Sequence, residues 1–330
     1  AVVEDTECVP ATGVRVATKM ASDPSIVAGA SHYCSMVGIA TKPVFTRYRF
    51  PSMIWGAVLP ALTIPSPKYI TRINGTQREQ NAFHANWSRR TLKKVYGESP
   101  KTYVVIHDIT DYGRGHARYF ISSVEKMGGK ILAKMGITIG QKDFSAELTR
   151  AKALKPDVIF FGGLTAEGAR LRIQMDKLGI KAGFEGTSGI LNEDFNKTVG
   201  AKVAEGSTSF GEGAPFDKLP GGNEFLSSYQ KEGFKDEPEF YGIFAYVAAR
   251  LIMDAVEKVG PDREKVADLL ARTQRESSVI GPIKFDKDGQ NILPVVTAYV
   301  SQDGKWVVWE DSEYAAGKRV MPTVKYMRER

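Results

Sequence analysis

A cysteine and a serine stand side by side in the segment SHYCSMVGIATKPVF, residues 31–45, where a short apolar run meets an amphipathic one. At the start of a helix, the hydroxyl of Ser35 and the free backbone N–H groups after it would form a cradle for an anion. The alternative is a plain N-cap, which stabilises a helix by about 1 kcal/mol. The spacing alone is compatible with both interpretations.

The chain has two cysteines, Cys8 and Cys34, and each follows a strand-like run, AVVED and SIVAGA. If these runs are neighbouring parallel strands, both thiols lie at one edge of the sheet. A disulfide there would close a medium-sized loop and indicate an oxidising compartment. Two unrelated buried thiols are the alternative, and a nucleophilic Cys34 beside His32 or His107 is a third interpretation.

The motifs of known enzyme classes are incomplete in this chain. GTSGI at 186–190 ends in Ile190, where a nucleophile elbow needs glycine. No phosphate-binding G-x-x-x-x-G-K-[ST] occurs, and YGRGHAR lacks the glycine spacing of a dinucleotide loop. The four histidines form no H-x-x-x-H pair, and two cysteines add too few ligands for a zinc site. We therefore expect no catalytic activity, no metal and no cofactor.

Four aromatic residues stand at or near predicted strand ends and helix starts, namely Tyr33, Trp55, Tyr112 and Tyr241. Core packing is the default for any one of them. Several together would line an apolar, aromatic pocket, because ligands of parallel sheets bind outside the carboxyl ends of the strands.

Short apolar runs such as KTYVVIHD and DVIFFGG alternate with amphipathic stretches of helical period. This alternation predicts an α/β protein with parallel sheets that are covered on both faces. The strands are too many for one open sheet of usual size, so we expect two doubly wound domains. In the last third, three helices arrive with few strands between them, and a hairpin with Asp303 and Gly304 at its turn follows. Both domains are therefore predicted to be discontinuous.

Composition and charge narrow the class of protein further. The chain has 330 residues, 42% of them apolar and 25% charged, as in ordinary soluble globular proteins. No apolar run approaches the length of a membrane span. The net charge is +7, but the basic residues are scattered beside many acidic ones. Because no basic stripe is present, we expect no nucleic-acid partner.

Six segments together resemble a known family: VVEDTECVPATGVRVATKMAS, SHYCS, PALT at 60–63, VVIHDITDYGRG, KDFSAELTRAKALKPDVIFFGG and IGPIKFDKDGQ. In order along nearly the whole chain, they resemble the periplasmic leucine/isoleucine/valine-binding protein family. Its members are the solute receptors of branched-chain amino-acid-type ABC transporters. The resemblance implies a type I periplasmic binding protein fold, in which two Rossmann-like lobes are joined by three crossings and close on a solute between them.

The same resemblance sets the expected boundaries. We expect lobe 1 to comprise residues 1–97 and 209–294, and lobe 2 to comprise residues 98–208 and 295–330. The expected hinges lie near 97–100, 207–211 and 293–297.

The resemblance also implies that Cys8 and Cys34 form the disulfide of the first lobe, which fits an oxidising compartment. Family members begin with a further strand and helix ahead of the VVED run. We therefore expect a longer precursor that also carried a signal peptide, and a periplasmic location.

The residues at the expected ligand site depart from the family's amino-acid binders. There, a serine of the CS motif holds the solute's carboxylate, and Ser35 matches that serine. A threonine and a glutamate hold the α-ammonium, but their places are taken by Val58 and Ser188. A pocket aromatic is replaced by Leu164. Because a buried ammonium without a carboxylate partner is costly, we expect a carboxylate solute that has no α-amino group.

The apolar body of such a solute would pack against Trp55, Tyr112 and Tyr241, and benzoate or cinnamate derivatives fit best. The predicted ligand-binding residues are Tyr33, Ser35, Trp55, Ala57, Val58, Tyr112, Leu164, Ser188 and Tyr241.

Two alternatives stay open at this point. An amino acid or amide would need another partner for its ammonium, such as Glu185 or Asp108. A sensory ligand-binding domain of the same fold is the second alternative. For the leading hypothesis, the resemblance implies an ABC transporter permease in the inner membrane as partner, and a monomeric receptor.

Overall fold

Contacts within the chain divide it into two compact units, each built from two segments. In this computed structural model, residues 1–65, 67–235, 238 and 241–329 are described. Unit 1 comprises Ala1–Thr76 and Gly213–Val295, and unit 2 comprises Gln77–Glu212 and Val296–Arg330. The chain therefore passes three times from one unit to the other.

The helices and strands follow the order below. The first segment of unit 1 contains α1 (Pro10–Ser22), β1 (Gly29–Ser31), α2 (Ser35–Arg47), β2 (Ser52–Ile54) and β3 (Ile70–Arg72). The first segment of unit 2 contains α3 (Gln77–Asn86), α4 (Leu92–Tyr96), β4 (Thr102–Asp108), α5 (Asp111–Lys126), β5 (Lys130–Ile137), α6 (Ser145–Leu154), β6 (Val158–Gly162), α7 (Thr165–Lys177), β7 (Gly183–Gly186), α8 (Glu193–Val199), α9 (Ala201–Ala204) and β8 (Thr208–Glu212).

The chain then returns to unit 1 and ends in unit 2. The second segment of unit 1 contains α10 (Gly222–Lys231), α11 (Gly242–Val259), α12 (Arg263–Ala271), β9 (Gln274–Arg275) and β10 (Ile283–Lys284). The last segment of unit 2 contains β11 (Val296–Gln302), β12 (Lys305–Val308) and α13 (Pro322–Arg328).

Unit 1 is built on a small parallel sheet in the order β1-β2-β3. Helices α1 and α2 pack closely against each other, and a Cβ atom at Gly13 would collide with Val37. Met53 of β2 packs with apolar residues of α11 and α12, and Ile54 packs with Ala17 and Phe45. The carboxyl ends of all three strands lie at one edge of this sheet, because the strands are parallel.

The predicted first strand, AVVED, is wrong. Among the described residues, the sheet of unit 1 begins at β1, and residues 1–6 belong to no strand. Val3 is 89% exposed. An apolar run with β-branched residues forms a strand only where a neighbouring strand receives its backbone hydrogen bonds. Without such a neighbour, this run stays irregular.

Unit 2 is built on a seven-stranded sheet in the order β12-β11-β8-β7-β6-β4-β5. Strands β4 to β8 pair in parallel, and β11 pairs antiparallel with β8 and β12. The interior strand β6, VIFFG, is buried along its whole length. Such continuous apolar runs are typical of parallel strands that are covered on both faces. The predicted strand and helix alternation of this region is confirmed.

Residues 77–97 form one helical segment, and they belong to unit 2. Helix α3 continues through a π-helical turn (Trp87–Thr91) into α4, and Gly97 ends it with a left-handed φ of 81°. The sequence assigned this helix to lobe 1. The structure places it in unit 2 because α3 packs along α5, with Asn81 bonded to His116 at 2.8 Å.

The other two boundaries also differ slightly from the predicted ones. Strand β8 lies between β7 and β11 in the sheet of unit 2, which keeps residues 209–212 in that unit. Val295 belongs to unit 1, where its carbonyl accepts the N–H of Gly213 at 2.5 Å.

Cys8 and Cys34 form a disulfide with a Cα–Cα distance of 5.6 Å, as the family resemblance implied. Cys8 lies two residues before α1, and Cys34 is the residue before α2. The bond therefore ties together the starts of the two packed helices. None of the described helices combines the length and the apolar character that a membrane span requires.

We predict that the double variant Cys8→Ser/Cys34→Ser has a lower free energy of unfolding. The disulfide joins positions 26 residues apart. A cross-link that closes a loop of that size lowers the conformational entropy of the unfolded chain, which stabilises the folded state by about 3 kcal/mol. Urea denaturation of the variant and of the oxidised wild type measures the difference, and the reduced wild type should match the variant. Equal stability of the oxidised wild type and the variant would contradict the prediction.

Candidate functional site

Ser35 is the first residue of α2, and its side chain is 2% exposed. The N-cap position belongs to Cys34, so the interpretation of Ser35 as a plain N-cap is wrong. The Ser35 hydroxyl has no hydrogen-bond partner among the described residues. A buried, unsatisfied hydroxyl beside the free N–H groups of a helix start is suited to receive an acceptor from outside the chain.

Three aromatic rings of unit 1 lie together after the strand ends. Tyr33 follows β1, Trp55 follows β2, and Tyr241 precedes α11. The ring of Tyr33 lies 6.0 Å from that of Trp55 and 5.4 Å, edge on, from that of Tyr241. Tyr33 remains 43% exposed. The structure thus brings together three of the four aromatic residues, and their faces form an accessible aromatic surface.

Gly56 allows Tyr33 to occupy this position. A Cβ atom at residue 56 would lie 3.1 Å from the ring and 3.2 Å from the Cα atom of Tyr33. These distances are tighter than ordinary van der Waals contact, so a side chain there would displace Tyr33.

Ala57 and Val58 are both 1% exposed and follow Gly56 in a segment without regular structure. The N–H of Ala57 donates to the carbonyl of His32 at 3.0 Å. This bond links the segment after β2 to the segment after β1. Ala57 and Val58 therefore lie at the same edge of the sheet as Tyr33 and Ser35.

His32 supports this edge through its side chain. The hydroxyl of Thr41 donates to the carbonyl of Val37 at 2.9 Å, so its oxygen accepts from Nε2 of His32 at 2.7 Å. The imidazole also stacks on Phe45 with ring centres 5.6 Å apart. Burial lowers the pKa of His32 to about 4. The ring is therefore neutral at pH 7, with its proton on Nε2.

In unit 2, the predicted residues after β4, β6 and β7 also converge. The hydroxyl of Tyr112 accepts the N–H of Gly189 at 2.9 Å and lies 3.1 Å from the hydroxyl of Thr187. A Cβ atom at Gly189 would contact Leu164 at 3.1 Å. Ser188 lies between the two residues that bond to Tyr112, and it is 6% exposed. Tyr112 and Leu164 therefore lie beside the turn 187–189, which contains Ser188.

The two proposed alternative partners for an ammonium are already engaged. Glu185 accepts from Nε2 of His84 at 2.9 Å and from the hydroxyl of Ser88 at 3.0 Å, and all three are buried. Asp108 accepts from the backbone N–H of Thr110 at 2.8 Å and from its hydroxyl. Burial raises the pKa of Asp108, against the effect of the Thr110 bonds. Neither carboxylate is well placed to neutralise an incoming cation.

The structure also bears on the other chemical interpretations. Cys34 is bonded to Cys8, so the hypothesis of a nucleophilic Cys34 is wrong. Within the part of the chain that the structure describes, no group of three or more His, Cys, Asp or Glu side chains could hold a metal ion.

Sequence reasoning missed two supporting residues, His32 and Thr187. His32 lies in the SHYCS segment and Thr187 in GTSGI, but each supports the site through a contact to another segment that these motifs do not reveal. A left-handed φ of 61° at His32 was the one local sign of a special position, but it is visible only in the structure.

Comparisons with known proteins agree with this architecture. A family model described as "Periplasmic binding protein" matches residues 1–305. The Leu/Ile/Val-binding protein homolog 1 of Brucella abortus is 28% identical over 307 residues, which is 92% of this chain and 78% of the relative.

Two solved structures show the same fold. A leucine binding protein from Thermotoga maritima has a TM-score of 0.84 at 24% identity and covers 92% of this chain and 85% of its own. A solute binding protein from R. palustris, in complex with benzoate, has a TM-score of 0.77 at 15% identity and covers 92% and 82%. The predicted type I periplasmic binding protein fold is thereby confirmed.

We predict that a fall in pH lowers the free energy of unfolding partly through protonation of His32. Its pKa is about 4 in the folded state and about 6.5 in an unfolded chain. The unfolded state therefore binds more protons, and stability falls as the pH drops from about 6.5 to 4. His32 contributes at most about 3 kcal/mol to this loss.

The variant His32→Gln tests this prediction by urea denaturation between pH 7 and pH 4. The pH dependence of its free energy of unfolding should be shallower than that of the wild type by close to one proton. An unchanged dependence would contradict the prediction.

Proposed function

This chain belongs to the periplasmic binding protein family, whose members are extracytoplasmic solute receptors, and we propose that its solute is a small carboxylate without an α-ammonium group. Aromatic acids of the benzoate and cinnamate type fit the proposal best. The observation that carries it is the buried hydroxyl of Ser35, which lacks a partner among the described residues.

The carboxylate end of the solute is assigned to the start of α2. A carboxylate oxygen there would accept from the Ser35 hydroxyl and from backbone N–H groups of the first helical turn. Hydrogen bonds to a charged group contribute about 1.5–3 kcal/mol each. The positive end of the helix dipole adds to the attraction.

The ammonium end has no evident partner. Val58 and Ser188 stand where the family's amino-acid binders place a threonine and a glutamate. Glu185, the nearest carboxylate in sequence to Ser188, is bonded to His84 and Ser88. If Glu185 left His84 and Ser88 to bind an ammonium, the buried polar groups of those two residues would be unsatisfied. The cost would be about 1–3 kcal/mol for each group.

The apolar body of the solute is assigned to an aromatic surface of unit 1. Unit 1 supplies Tyr33, Trp55 and Tyr241, whose tilted and edge-on arrangement suits a further ring. The R. palustris protein, in complex with benzoate, supports the compatibility of this fold with such solutes.

The biological role follows from the family. We propose a monomeric, periplasmic receptor that delivers its solute to an ABC transporter permease and performs no catalysis. An amino acid is the second candidate, because the Brucella and Thermotoga relatives are named for branched-chain amino acids or leucine.

A thermal-shift screen with aromatic carboxylates and aliphatic amino acids separates the two candidates. A ligand at 100 times its Kd stabilises the folded state by about 2.7 kcal/mol. The proposal requires a response to benzoate or cinnamate derivatives. A response to leucine alone would overturn it in favour of the amino-acid candidate.

We predict that Ser35→Ala lowers the affinity for the responding carboxylate about tenfold or more, because one hydrogen bond to a charged group is lost. The stability of the unliganded protein should not fall, since the hydroxyl has no partner to lose. Calorimetric titration and urea denaturation measure the two quantities.

Ser207→Ala is the matched control for this variant. Ser207 is 1% exposed, its hydroxyl also lacks a partner among the described residues, and it precedes β8 at the amino end of that strand. Its affinity should equal that of the wild type. An equal loss of affinity in both variants would argue against Ser35 as the carboxylate ligand.

We predict that Ser188→Glu shifts specificity toward amino acids, because it returns a carboxylate to the position that holds the ammonium in the family's amino-acid binders. Benzoate should bind more weakly, owing to charge repulsion, and leucine more strongly. Ser122→Glu, on the exposed surface of α5, adds the same charge as a control. If both variants bind each ligand as the wild type does, the assignment of Ser188 is wrong.

A further inference from the structure

Arg72, at the end of β3, has a fully buried side chain with an exposed fraction of 0%. Burial of a guanidinium is costly unless its N–H groups are hydrogen-bonded. Its position next to the carboxyl edge of the sheet raises the question of what those N–H groups bind.

The guanidinium binds the backbone on either side of Val58. Nη1 donates to the carbonyl of Leu59 at 2.8 Å and to that of Ala57 at 3.2 Å. Nη2 donates to the hydroxyl of Thr63 at 3.1 Å. One side chain thus contacts both ends of the segment 57–59 and the turn that follows it.

The Nε donor also binds a side chain, which orients the plane of the guanidinium. It donates to Oε1 of Gln290 at 2.5 Å. Nε2 of Gln290 donates to the carbonyls of Asn74 and Asn291 at 2.8 and 2.9 Å, so its amide can present only the oxygen to Arg72. The backbone N–H of Arg72 also donates to the carbonyl of Gly289 at 2.8 Å.

We propose that Arg72 is a positioning residue for solute binding, which sets the backbone of the segment 57–59 and thereby the placement of Ala57 and Val58. This inference rests on the proposed function for the role of these two residues.

The chemistry of the side chain explains why arginine is needed here. A guanidinium carries donors in a rigid, planar fork and can bind several acceptors in fixed directions. A lysine ammonium is a compact charge on a flexible stem and cannot span the carbonyls of Ala57 and Leu59 and the hydroxyl of Thr63 together.

Unit 1 contains a second arginine with the same chemistry at a different place. Arg263 donates to the carbonyls of Ala21, Asp23, Ile26 and Tyr48 at distances from 2.6 to 3.2 Å. It contacts backbone carbonyls remote in sequence from 57–59. Arg263→Gln is therefore a matched control that removes a comparable set of hydrogen bonds from the same unit.

The test compares Arg72→Gln with Arg263→Gln by hydrogen exchange and by titration with benzoate. For Arg72→Gln, we expect amide exchange in 57–63 to accelerate at least tenfold and the Kd for benzoate to rise at least tenfold. For Arg263→Gln, exchange should accelerate in 21–26 and near 48, with a Kd within twofold of the wild type.

The proposal would be overturned if Arg72→Gln left either exchange in 57–63 or the Kd unchanged, or if both variants raised the Kd equally. If Arg72→Gln fails to fold, Gln290→Leu replaces it, since this change removes the acceptor that orients the guanidinium. It should accelerate exchange in 57–63 by about threefold or more, and an unchanged rate would overturn the proposal.

Failure of the proposed function gives a different result. In that case the wild type would not bind benzoate or any other aromatic carboxylate. Exchange in 57–63 would still report whether Arg72 holds the segment, because that measurement needs no ligand.

Discussion

The candidate site depends on buried polar groups whose hydrogen-bond partners lie in other segments of the chain. A buried polar atom without a partner destabilises a folded chain by about 1–3 kcal/mol, so most such atoms are paired. His32 pairs with Thr41, Glu185 with His84 and Ser88, and Arg72 with the carbonyls of Ala57 and Leu59. The hydroxyl of Ser35 is a departure from this pattern at the start of α2, and that departure is the reason to assign the solute's carboxylate there.

Parallel sheets explain why such groups gather. In unit 1, the segments after β1 and β2 lie at one edge, and the bond from Ala57 to His32 joins them. In unit 2, the segments after β4, β6 and β7 do the same around the hydroxyl of Tyr112. In each unit, hydrogen bonds thus join the loops at the carboxyl edge of the sheet, although the residues differ. Hydrogen bonds between loops make each edge a defined surface rather than a set of independent loops.

Much of the fold could be predicted from the sequence, because it depends on local patterns. The continuous apolar run of β6 and the glycine at the end of α4 each have one favoured structure. The strand predicted for AVVED is wrong because a strand depends on its neighbour as much as on its own residues. The N-cap assignment of Ser35 failed by a single residue, since the pattern does not fix where the first helical turn begins.

The candidate site could be predicted less completely. Tyr33, Trp55 and Tyr241 were each placed near an element end, but contact between residues 208 positions apart in the chain is invisible in a local pattern. Likewise, Glu185 was a plausible partner for an ammonium until its bonds to His84 and Ser88 were seen. Charge in a sequence shows which groups exist, whereas availability depends on which partners the fold has already given them.

The bond between Cys8 and Cys34 has a consequence for the maturation of the protein. It ties the residue before α2 to the start of α1, and so it fixes the helix start that carries Ser35. In an extracytoplasmic protein, this covalent link forms only after the chain has left the reducing cytoplasm. The final geometry of the helix start is therefore completed at the destination, which separates the time of synthesis from the time at which the receptor becomes competent.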